Sequence, residues 1–217
     1  VRLLKIWLLT RSLTFLDPTE KLKFFRTEIE TRPGQPGGFL RRRKKMNVQD
    51  LMKALHTAEQ LKDTLRHCDT SGGRRESVAE HSWRVSLMAY WISDEFPEAD
   101  MNKVIKMCLI HDLGECFTGD IPTFDKTKAD EQREEQLLQE WVDQLPSPFR
   151  EEMTALYQEM EARETVEAKI YKALDNLEAV IQHNESDIST WADHEYELQR
   201  TYGNDKVQFS EYLKTLR

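Results

Sequence analysis

Four side chains spread along the chain could together bind one divalent metal ion: His81, the adjacent pair His111 and Asp112, and Asp175. Each continues the apolar stripe of a predicted helix and would therefore face the protein interior. A buried carboxylate is costly unless it meets a cation or strong hydrogen-bond donors. Two neutral imidazoles and two carboxylates balance the charge of a divalent ion. This nitrogen and oxygen set suits Mn, Fe, Co, Ni or Zn, and the sequence does not select one of them.

Each of these residues has a simpler interpretation when it is taken alone. A single His-Asp dipeptide occurs often by chance, and His81 could be a hydrogen-bonded core histidine. Asp175 could instead pair with an arginine or with a helix terminus. The combination is harder to explain away, because one histidine begins a capped helix, the pair ends a second helix, and the aspartate lies inside a third.

The elements that would position these residues are helices. Ser77 and Glu80 form a capping box, which predicts a helix start at Val78. The apolar periodicity predicts helices over about residues 78–96, 101–112, 129–142, 149–162, 166–183, 192–201 and 207–216. The second of these is apolar on most sides, which indicates a buried central helix. No strand pattern of useful length is found, so the predicted fold is all-α, a compact helical bundle.

The charge of the chain is divided unevenly. Residues 1–46 have a net charge of +8 and residues 47–217 a net charge of −16, within a total of −8. We expect residues 1–46 to be a basic extension that need not be part of the fold, and residues 47–217 to form the domain. The basic block at residues 41–45 could be a nucleic-acid or localisation patch, although a solvated appendage is the simpler interpretation. The acidic domain would repel a phosphodiester backbone, which favours a small-molecule substrate over nucleic acid.

The composition also bears on the cellular compartment. No stretch approaches the ~20 apolar residues that a membrane-spanning helix requires, so we expect a cytoplasmic protein without a membrane partner. The three cysteines, Cys68, Cys108 and Cys116, are odd in number and have no CxxC spacing. They are poor material for a disulfide framework or a thiolate zinc site, which fits a reducing compartment.

The motifs around the four candidate ligands carry a family resemblance. The chain resembles the HD-domain metal-dependent phosphohydrolases, whose signature is one His, then a His-Asp pair, then a distant Asp. The segments ESVAEHSWRV (76–85), IHDLGECFTGDIP (110–122) and KALDNLEA (172–179) are similar to the compact members that act as 5′-nucleotidases on deoxyribonucleoside monophosphates. The resemblance covers about residues 50–202. It implies an HD-type bundle, a homodimer, and His81, His111, Asp112 and Asp175 as the metal ligands.

The same resemblance implies roles for three further residues. Glu115 would be the catalytic carboxylate beside the metal, Asp120 would contact the sugar, and Arg66 in LKDTLRH (61–67) would contact the phosphate. Each has an alternative interpretation: Glu115 as a surface residue at a helix end, Asp120 as a turn-fixing side chain, and Arg66 as one surface arginine among many. The motif departs from the family at His67, where a Trp is often found, and this departure bears on base or sugar preference.

The predicted function is a metal-dependent 5′-nucleotidase that dephosphorylates (deoxy)ribonucleoside monophosphates. One alternative is an HD phosphohydrolase that acts on nucleoside triphosphates or cyclic nucleotides. A second alternative is a non-catalytic sensor of metal or nucleotide, which would have no need of a proton-transfer group such as Glu115. Trp141 and Trp191 are candidates for an exposed apolar surface in a homodimer interface.

Overall fold

The computed structural model describes residues 46–217. The predicted basic extension, with its block at residues 41–45, lies outside the described residues except for Met46. The described helices are, in chain order, α1 (Val48–Ala58), α2 (Val78–Trp91), α3 (Met101–Ile110), α4 (Glu115–Thr118), α5 (Lys128–Val142), α6 (Phe149–Ala162), α7 (Val166–Glu185), α8 (Glu195–Thr201) and α9 (Glu211–Leu216). The predicted all-helical class is confirmed.

The core is built from α2, α3 and α7, which pack against one another. Helix α7 is the most deeply buried of them, with Ile170, Ala173 and Leu174 fully covered. Helix α3 contributes Val104 and Cys108, both without solvent exposure. The predicted buried central helix is thus present, and the helix that carries Asp175 packs against it.

Side-chain caps fix where the core helices begin. Ser77 accepts a hydrogen bond from the amide of Glu80, and the Glu80 carboxylate accepts one from the Ser77 amide, so the predicted capping box is confirmed. Asp100 caps α3, and Thr165 caps α7. Each cap satisfies amides that the first helical turn leaves unpaired. The starts of α2 and α7, which carry His81 and Asp175, and of α3, which leads into His111 and Asp112, are therefore set locally.

The described residues also contain one short hairpin, which the search for alternating patterns did not detect. Strand β1 (Leu65–Asp69) pairs antiparallel with β2 (Arg75–Ser77), in a register that places Leu65 opposite Ser77. The turn between them uses Gly73 at a φ of +77°, in the left-handed region that favours glycine. Strands of five and three residues are too short to give a clear alternating pattern. The hairpin leads directly into α2 and places Arg66 beside the site described below.

Several helix ends also differ from the prediction. Helix α2 ends at Trp91, and a 3₁₀ turn at Ser93–Glu95 replaces its predicted last turn. The short helix α4 (Glu115–Thr118) lies between the predicted helices at 101–112 and 129–142, and α9 begins at Glu211, four residues later than predicted. Side-chain periodicity defines the ends of a helix less precisely than its middle. Within the described residues, no helix combines the length and the apolar character needed to cross a bilayer.

Candidate metal centre

The four predicted metal ligands lie together at the centre of the bundle. The Nε2 atoms of His81 and His111 are 3.2 Å apart. Asp112 Oδ2 lies 3.1 Å from His111 Nε2 and 3.7 Å from His81 Nε2. Asp175 Oδ1 lies 3.2 Å from His81 Nε2 and 3.5 Å from His111 Nε2. Helix α2, the turn after α3 and helix α7 thus bring to one point residues that are far apart in the sequence.

These separations fit one divalent ion between His81, His111 and Asp112, whose donor atoms all lie within 4.8 Å of one another, with Asp175 Oδ1 close to both histidines. Two donors that each lie ~2.1 Å from one ion are ~3.0 Å apart at right angles and ~3.4 Å apart at the tetrahedral angle. The observed donor separations of 3.1–3.7 Å overlap this interval and extend ~0.3 Å beyond its upper end. The donor set has two imidazole nitrogens and two carboxylate oxygens, and the chain's cysteines are not part of it. The residues present therefore fit a nitrogen- and oxygen-ligated divalent metal.

Both imidazole rings are oriented by a bond from the other nitrogen. His111 Nδ1 lies 2.7 Å from the backbone carbonyl oxygen of Cys108, which can only accept a hydrogen bond. His81 Nδ1 contacts a carboxylate oxygen of Glu178. With the proton of each ring on Nδ1, both Nε2 lone pairs are free for a metal. Glu178 was missed in the sequence, although it lies three residues after Asp175, on the same face of the helix.

Asp175 is held through its second oxygen. Lys172 Nζ lies 2.7 Å from Asp175 Oδ2, while Oδ1 faces the two histidines. The pairing of Asp175 with a basic residue, considered as an alternative to metal binding, therefore coexists with its place among the ligands. Burial raises the pKa of Asp175, but Lys172 and the histidines outweigh burial and hold this pKa well below its usual value. Asp175 is therefore ionised at neutral pH and available as a ligand.

Without an ion, the imidazole of His111 is strongly basic. Burial lowers its pKa, but the neighbouring Asp112 and Asp175 carboxylates outweigh burial and raise the pKa to about 10. The same interaction keeps the pKa of Asp112 far below its usual value, against the effect of its own burial. When both imidazoles are neutral, nothing in the ligand set balances the negative charges of Asp112 and Asp175. This excess of negative charge favours the binding of a cation.

Arg66 lies on β1 at the edge of this centre. Its Nη1 atom is 3.7 Å from Asp112 Oδ2, and its Nε atom is 3.2 Å from Oε2 of Glu76. Both Arg66 and Glu76 are largely buried. Burial lowers the pKa of Arg66, but Asp112 and other acidic neighbours outweigh it, so the guanidinium stays charged. The arginine is therefore one of the cations in the site rather than a solvated surface residue.

Glu115 begins α4 and is 6% exposed, which makes it a buried residue rather than a surface glutamate. Within the described residues, its Oε2 atom has no hydrogen-bond partner. Burial, together with the charges of Asp112 and Asp120, raises its pKa to about 10. A buried carboxyl with a raised pKa and one free oxygen is suited to proton transfer.

A cavity of about 220 Å³ opens from the metal ligands. One group of lining residues surrounds the donors and includes Arg66, Glu115, Asp120, Lys126 and Lys172. A second group contains the buried carboxylate of Glu195 and the residues His67, Phe124, His183, Leu198 and Gln199. Asp120 therefore lines the cavity, and burial raises its pKa. The cavity combines a charged part with a part that contains aromatic and apolar surface, as polar small-molecule sites do.

The second group of lining residues contains a feature that the sequence did not reveal. His67 Nε2 lies 2.7 Å from Glu195 Oε1, and the His67 ring meets Phe124 edge-on at 5.2 Å. His183 Nε2 lies 3.7 Å from the same Glu195 oxygen. His67, where the motif departs from the family, is thus paired with a carboxylate. The partner is 128 positions away, and no local pattern would have identified it.

The chain is similar to known proteins over most of the described residues. Residues 58–217 match a family model described as an HD domain. The chain is 34% identical over 114 residues to the 5′-deoxynucleotidase HDDC2 of Homo sapiens, covering 52% of this chain and 55% of the human protein. It is 31% identical over 150 residues to the 5′-deoxynucleotidase HDDC2 of Dictyostelium discoideum, covering 65% of this chain and 74% of that protein. The chain thus spans about half the length of the vertebrate relatives that it matches.

A solved structure gives the corresponding comparison of folds. The crystal structure of a predicted metal-dependent phosphohydrolase from Magnetospirillum magnetotacticum superposes with a TM-score of 0.67 at 29% identity. The alignment covers 78% of this chain and 90% of that one. The fold of this part of the chain is therefore shared with an experimentally determined structure.

Proposed function

This chain belongs to the HD-domain family, and on that premise we propose that it is a metal-dependent phosphohydrolase that removes the phosphate from nucleoside 5′-monophosphates, deoxyribonucleotides among them. The single observation that supports this most strongly is the meeting of four donors, with Arg66 and Glu115 beside them, at one end of a cavity. The names of the relatives point to the same substrate class.

We assign the metal ligands to His81, His111, Asp112 and Asp175, with Co, Mn, Fe, Ni and Zn as the candidate ions. When bound, a divalent ion supplies Lewis-acid chemistry, which stabilises negative charge on a phosphoryl group and promotes the ionisation of water. The fixed Nδ1 bonds of the two histidines keep the rings in place while the substrate enters and leaves.

Arg66 binds the phosphate in this proposal. Its planar guanidinium suits two phosphate oxygens, and the ion pair of Nε with Glu76, at 3.2 Å, holds the side chain in place before substrate arrives. Lys126 lines the same part of the cavity and adds positive charge. These cations offset the charges of the phosphate and of the ligand carboxylates, so an anionic substrate can enter an acidic site.

Glu115 is the proton-transfer residue in this proposal. The oxygen of water forms a bond to phosphorus, the bond from phosphorus to the nucleoside 5′-oxygen breaks, and that oxygen takes up a proton to leave as an alcohol. Glu115 holds a proton near this reaction because burial raises its pKa. In this proposal the Glu115 carboxyl gives its proton to the leaving 5′-oxygen through Oε2, and the attacking water passes a proton back to the carboxylate, so Glu115 ends the turnover protonated as it began.

The nucleoside occupies the second part of the cavity. Asp120 accepts a hydrogen bond from a sugar hydroxyl in this proposal, and the base lies beside Phe124 and the His67–Glu195 pair. A carboxylate with an imidazole is a polar surface that favours a hydrogen-bonding ligand over a purely apolar one. The acidic surface of residues 47–217 supports a nucleotide rather than a nucleic acid as the substrate.

The test combines metal analysis with a phosphate-release screen. Metal-loaded protein should release phosphate from nucleoside monophosphates faster than from nucleoside triphosphates or cyclic nucleotides. Asp112→Ala should abolish both metal content and turnover. The control Asp205→Ala removes an exposed carboxylate that is not among the candidate ligands, and it should change neither. Full activity in the Asp112 variant would refute the site. Metal binding and nucleotide binding without turnover would favour a sensor.

We also propose that the protein forms a homodimer. The side chains of Trp83, Tyr90 and Trp91 on α2 are 62%, 65% and 71% exposed, and large exposed apolar side chains support an association surface. Trp141 and Trp191, which the sequence suggested for this role, are only partly exposed because they pack against Phe117 and His183. Light scattering of the wild type and of Trp83→Lys/Trp91→Lys tests this, with a monomeric double variant as the expected result.

A further inference from the structure

Glu178 is a buried carboxylate behind the metal centre, and the proposed chemistry makes no direct use of it. Its side chain has no solvent exposure. One oxygen contacts His81 Nδ1. The other lies 3.6 Å from Nε of Arg84 and, within the described residues, has no hydrogen-bond partner. Burying a carboxylate with so few partners lowers the stability of the fold. A functional role for Glu178 would explain why it is present.

We propose that Glu178 is a positioning residue that fixes the ring of His81 with Nε2 towards the metal site, and thereby sets the affinity of the protein for its divalent ion. This inference rests on the proposed function in one respect, namely that a metal binds at the four donors. A carboxylate that accepts the Nδ1 proton of a ligating histidine fixes both its tautomer and its ring orientation.

The position of Glu178 on α7 gives this role a structural basis. Asp175 and Glu178 are three residues apart and share one face of the helix. One helix therefore supplies a metal ligand and also holds a second ligand, His81, that belongs to α2. Any movement of α7 against α2 would displace both donors together.

A simple ion pair with Arg84 does not account for Glu178. Arg84 already has a closer carboxylate, because its Nη2 atom lies 2.9 Å from Glu185, and its Nη1 atom bonds the side-chain oxygen of Gln182 at 2.6 Å. Glu185 is half-exposed and lies on the same helix as Glu178. It makes no contact with His81, so it offers a matched comparison: two glutamates of one helix face one arginine, and only Glu178 reaches a ligand.

The other candidate histidine ligand, His111, is oriented without a carboxylate. Its Nδ1 atom is held by the carbonyl oxygen of Cys108, a backbone group that no substitution removes. The orientation of His81, in contrast, depends on one side chain. The effect of changing Glu178 should therefore appear at His81 and leave the bond from His111 to Cys108 intact.

The experiment measures zinc affinity of the full chain in the absence of nucleotide, by competition with a chromogenic chelator. Glu178→Gln should bind Zn²⁺ about 10- to 100-fold more weakly than the wild type, the usual consequence of losing such a partner. Glu185→Gln should remain within about twofold of the wild type. In the zinc-loaded wild type, the Nδ1 proton of His81 should give a strongly downfield NMR signal, which Glu178→Gln shifts or removes while the corresponding His111 signal stays.

The outcomes separate this inference from the proposed function. Unchanged zinc affinity in a folded Glu178→Gln protein would overturn the positioning role, even if the wild type is an active nucleotidase. A wild type that binds zinc without turnover would overturn the proposed function and leave the affinity comparison valid. If Glu178→Gln does not fold, Glu178→Asp is measured instead. Its shorter carboxylate keeps the charge and loses the reach, so it should show the same weakening.

Discussion

Arg66 and Glu76 form a buried pair between the two strands of the hairpin, with the guanidinium Nε 3.2 Å from the carboxylate Oε2. Cys68 donates its thiol to the same oxygen at 3.4 Å. Burial and the nearby charge of Glu178 raise the pKa of Glu76, and Arg66 opposes this effect. The arginine is thus anchored at one end, while its Nη1 atom faces the metal ligands.

Glu76→Gln should therefore weaken substrate binding more than turnover. Loss of the charged partner removes the buried ion pair that holds Arg66 in place, and breaking a buried ion pair at one partner is costly. We expect KM for the best nucleoside monophosphate to rise about tenfold or more and kcat to fall by a smaller factor. Steady-state kinetics with saturating metal measure both parameters.

The control for Glu76 is Glu151→Gln, which alters an exposed pair with Arg150 and should leave both parameters unchanged. Arg66→Ala should raise KM further, and the double variant Arg66→Ala/Glu76→Gln should be no worse than Arg66→Ala, because the two side chains act as one unit. Fully additive effects would show that Glu76 does not act through Arg66.

Glu115→Gln should separate chemistry from metal binding. The amide keeps the size of the side chain but cannot exchange the proton that the buried carboxyl holds. General acid or base catalysis contributes typically 10²- to 10⁴-fold, so we expect kcat to fall by about this factor. Metal content, measured on the same sample, should remain that of the wild type.

A matched control for Glu115 is Glu135→Gln, at an exposed position of α5, which should retain full activity. Loss of metal from the Glu115 variant would mean that this residue is a ligand rather than a proton-transfer group. Retention of kcat within about threefold would remove it from the reaction.

The two capping boxes offer a comparison between stability and function. Ser77 caps α2, whose first turns carry His81, and Thr127 caps α5 with the same reciprocal pattern through Asp130. Ser77→Ala and Thr127→Ala should each lower the free energy of unfolding by about 1 kcal/mol. Urea denaturation of the metal-free proteins measures this loss. Only Ser77→Ala should also weaken zinc binding, since only this helix carries a ligand.

Equal zinc affinity in the Ser77 and Thr127 variants would contradict the idea that the start of α2 positions His81. An unchanged free energy of unfolding in both variants would contradict the caps themselves. The two measurements are independent, because unfolding is followed without metal and affinity is measured on folded protein.

The positions of the candidate metal ligands were predictable because local signals locate them. A capping residue fixes the start of α2, and apolar periodicity then places His81 on the inner face. The same argument places Asp175 on the inner face of α7. Helix faces identify which side chains point inward, and inward carboxylates and imidazoles require partners. Their meeting at one point was therefore a strong inference from the residues alone.

The partners of those residues were not predictable in the same way. Glu178 meets His81 across 97 positions of the chain, and His67 meets Glu195 across 128. Periodicity assigns such residues to a face but does not say which polar group of another element lies opposite. The hairpin that contains Arg66 was not predicted for a similar reason. Short strands depend on packing against their neighbours more than on their own sequence pattern.

The His67–Glu195 pair also predicts a pH dependence of stability. Glu195 is 4% exposed, and burial raises its pKa. The amide of Ala192 and the two histidines outweigh burial, so the pKa lies below its ordinary value of 4.5. A carboxyl with a lowered pKa stabilises the fold above the pKa of the unfolded chain and loses this contribution as the pH falls through its folded pKa. Glu195→Gln should therefore lower the free energy of unfolding by about 1–3 kcal/mol at pH 7, and the difference from the wild type should shrink below pH 4.5.

Urea denaturation of the metal-free proteins at pH 7, 5 and 3.5 measures this difference. Glu197→Gln is the control, because Glu197 lies on the same helix, is 81% exposed and pairs only with Arg200; its difference from the wild type should stay close to zero throughout. A Glu195 difference that is the same at pH 7 and pH 3.5 would mean that the side chain stabilises the fold by its shape and not by its charge. In that case His67 and His183 would owe their positions to packing against Phe124 and Trp191, and the polar character assigned to this part of the cavity would have to be withdrawn.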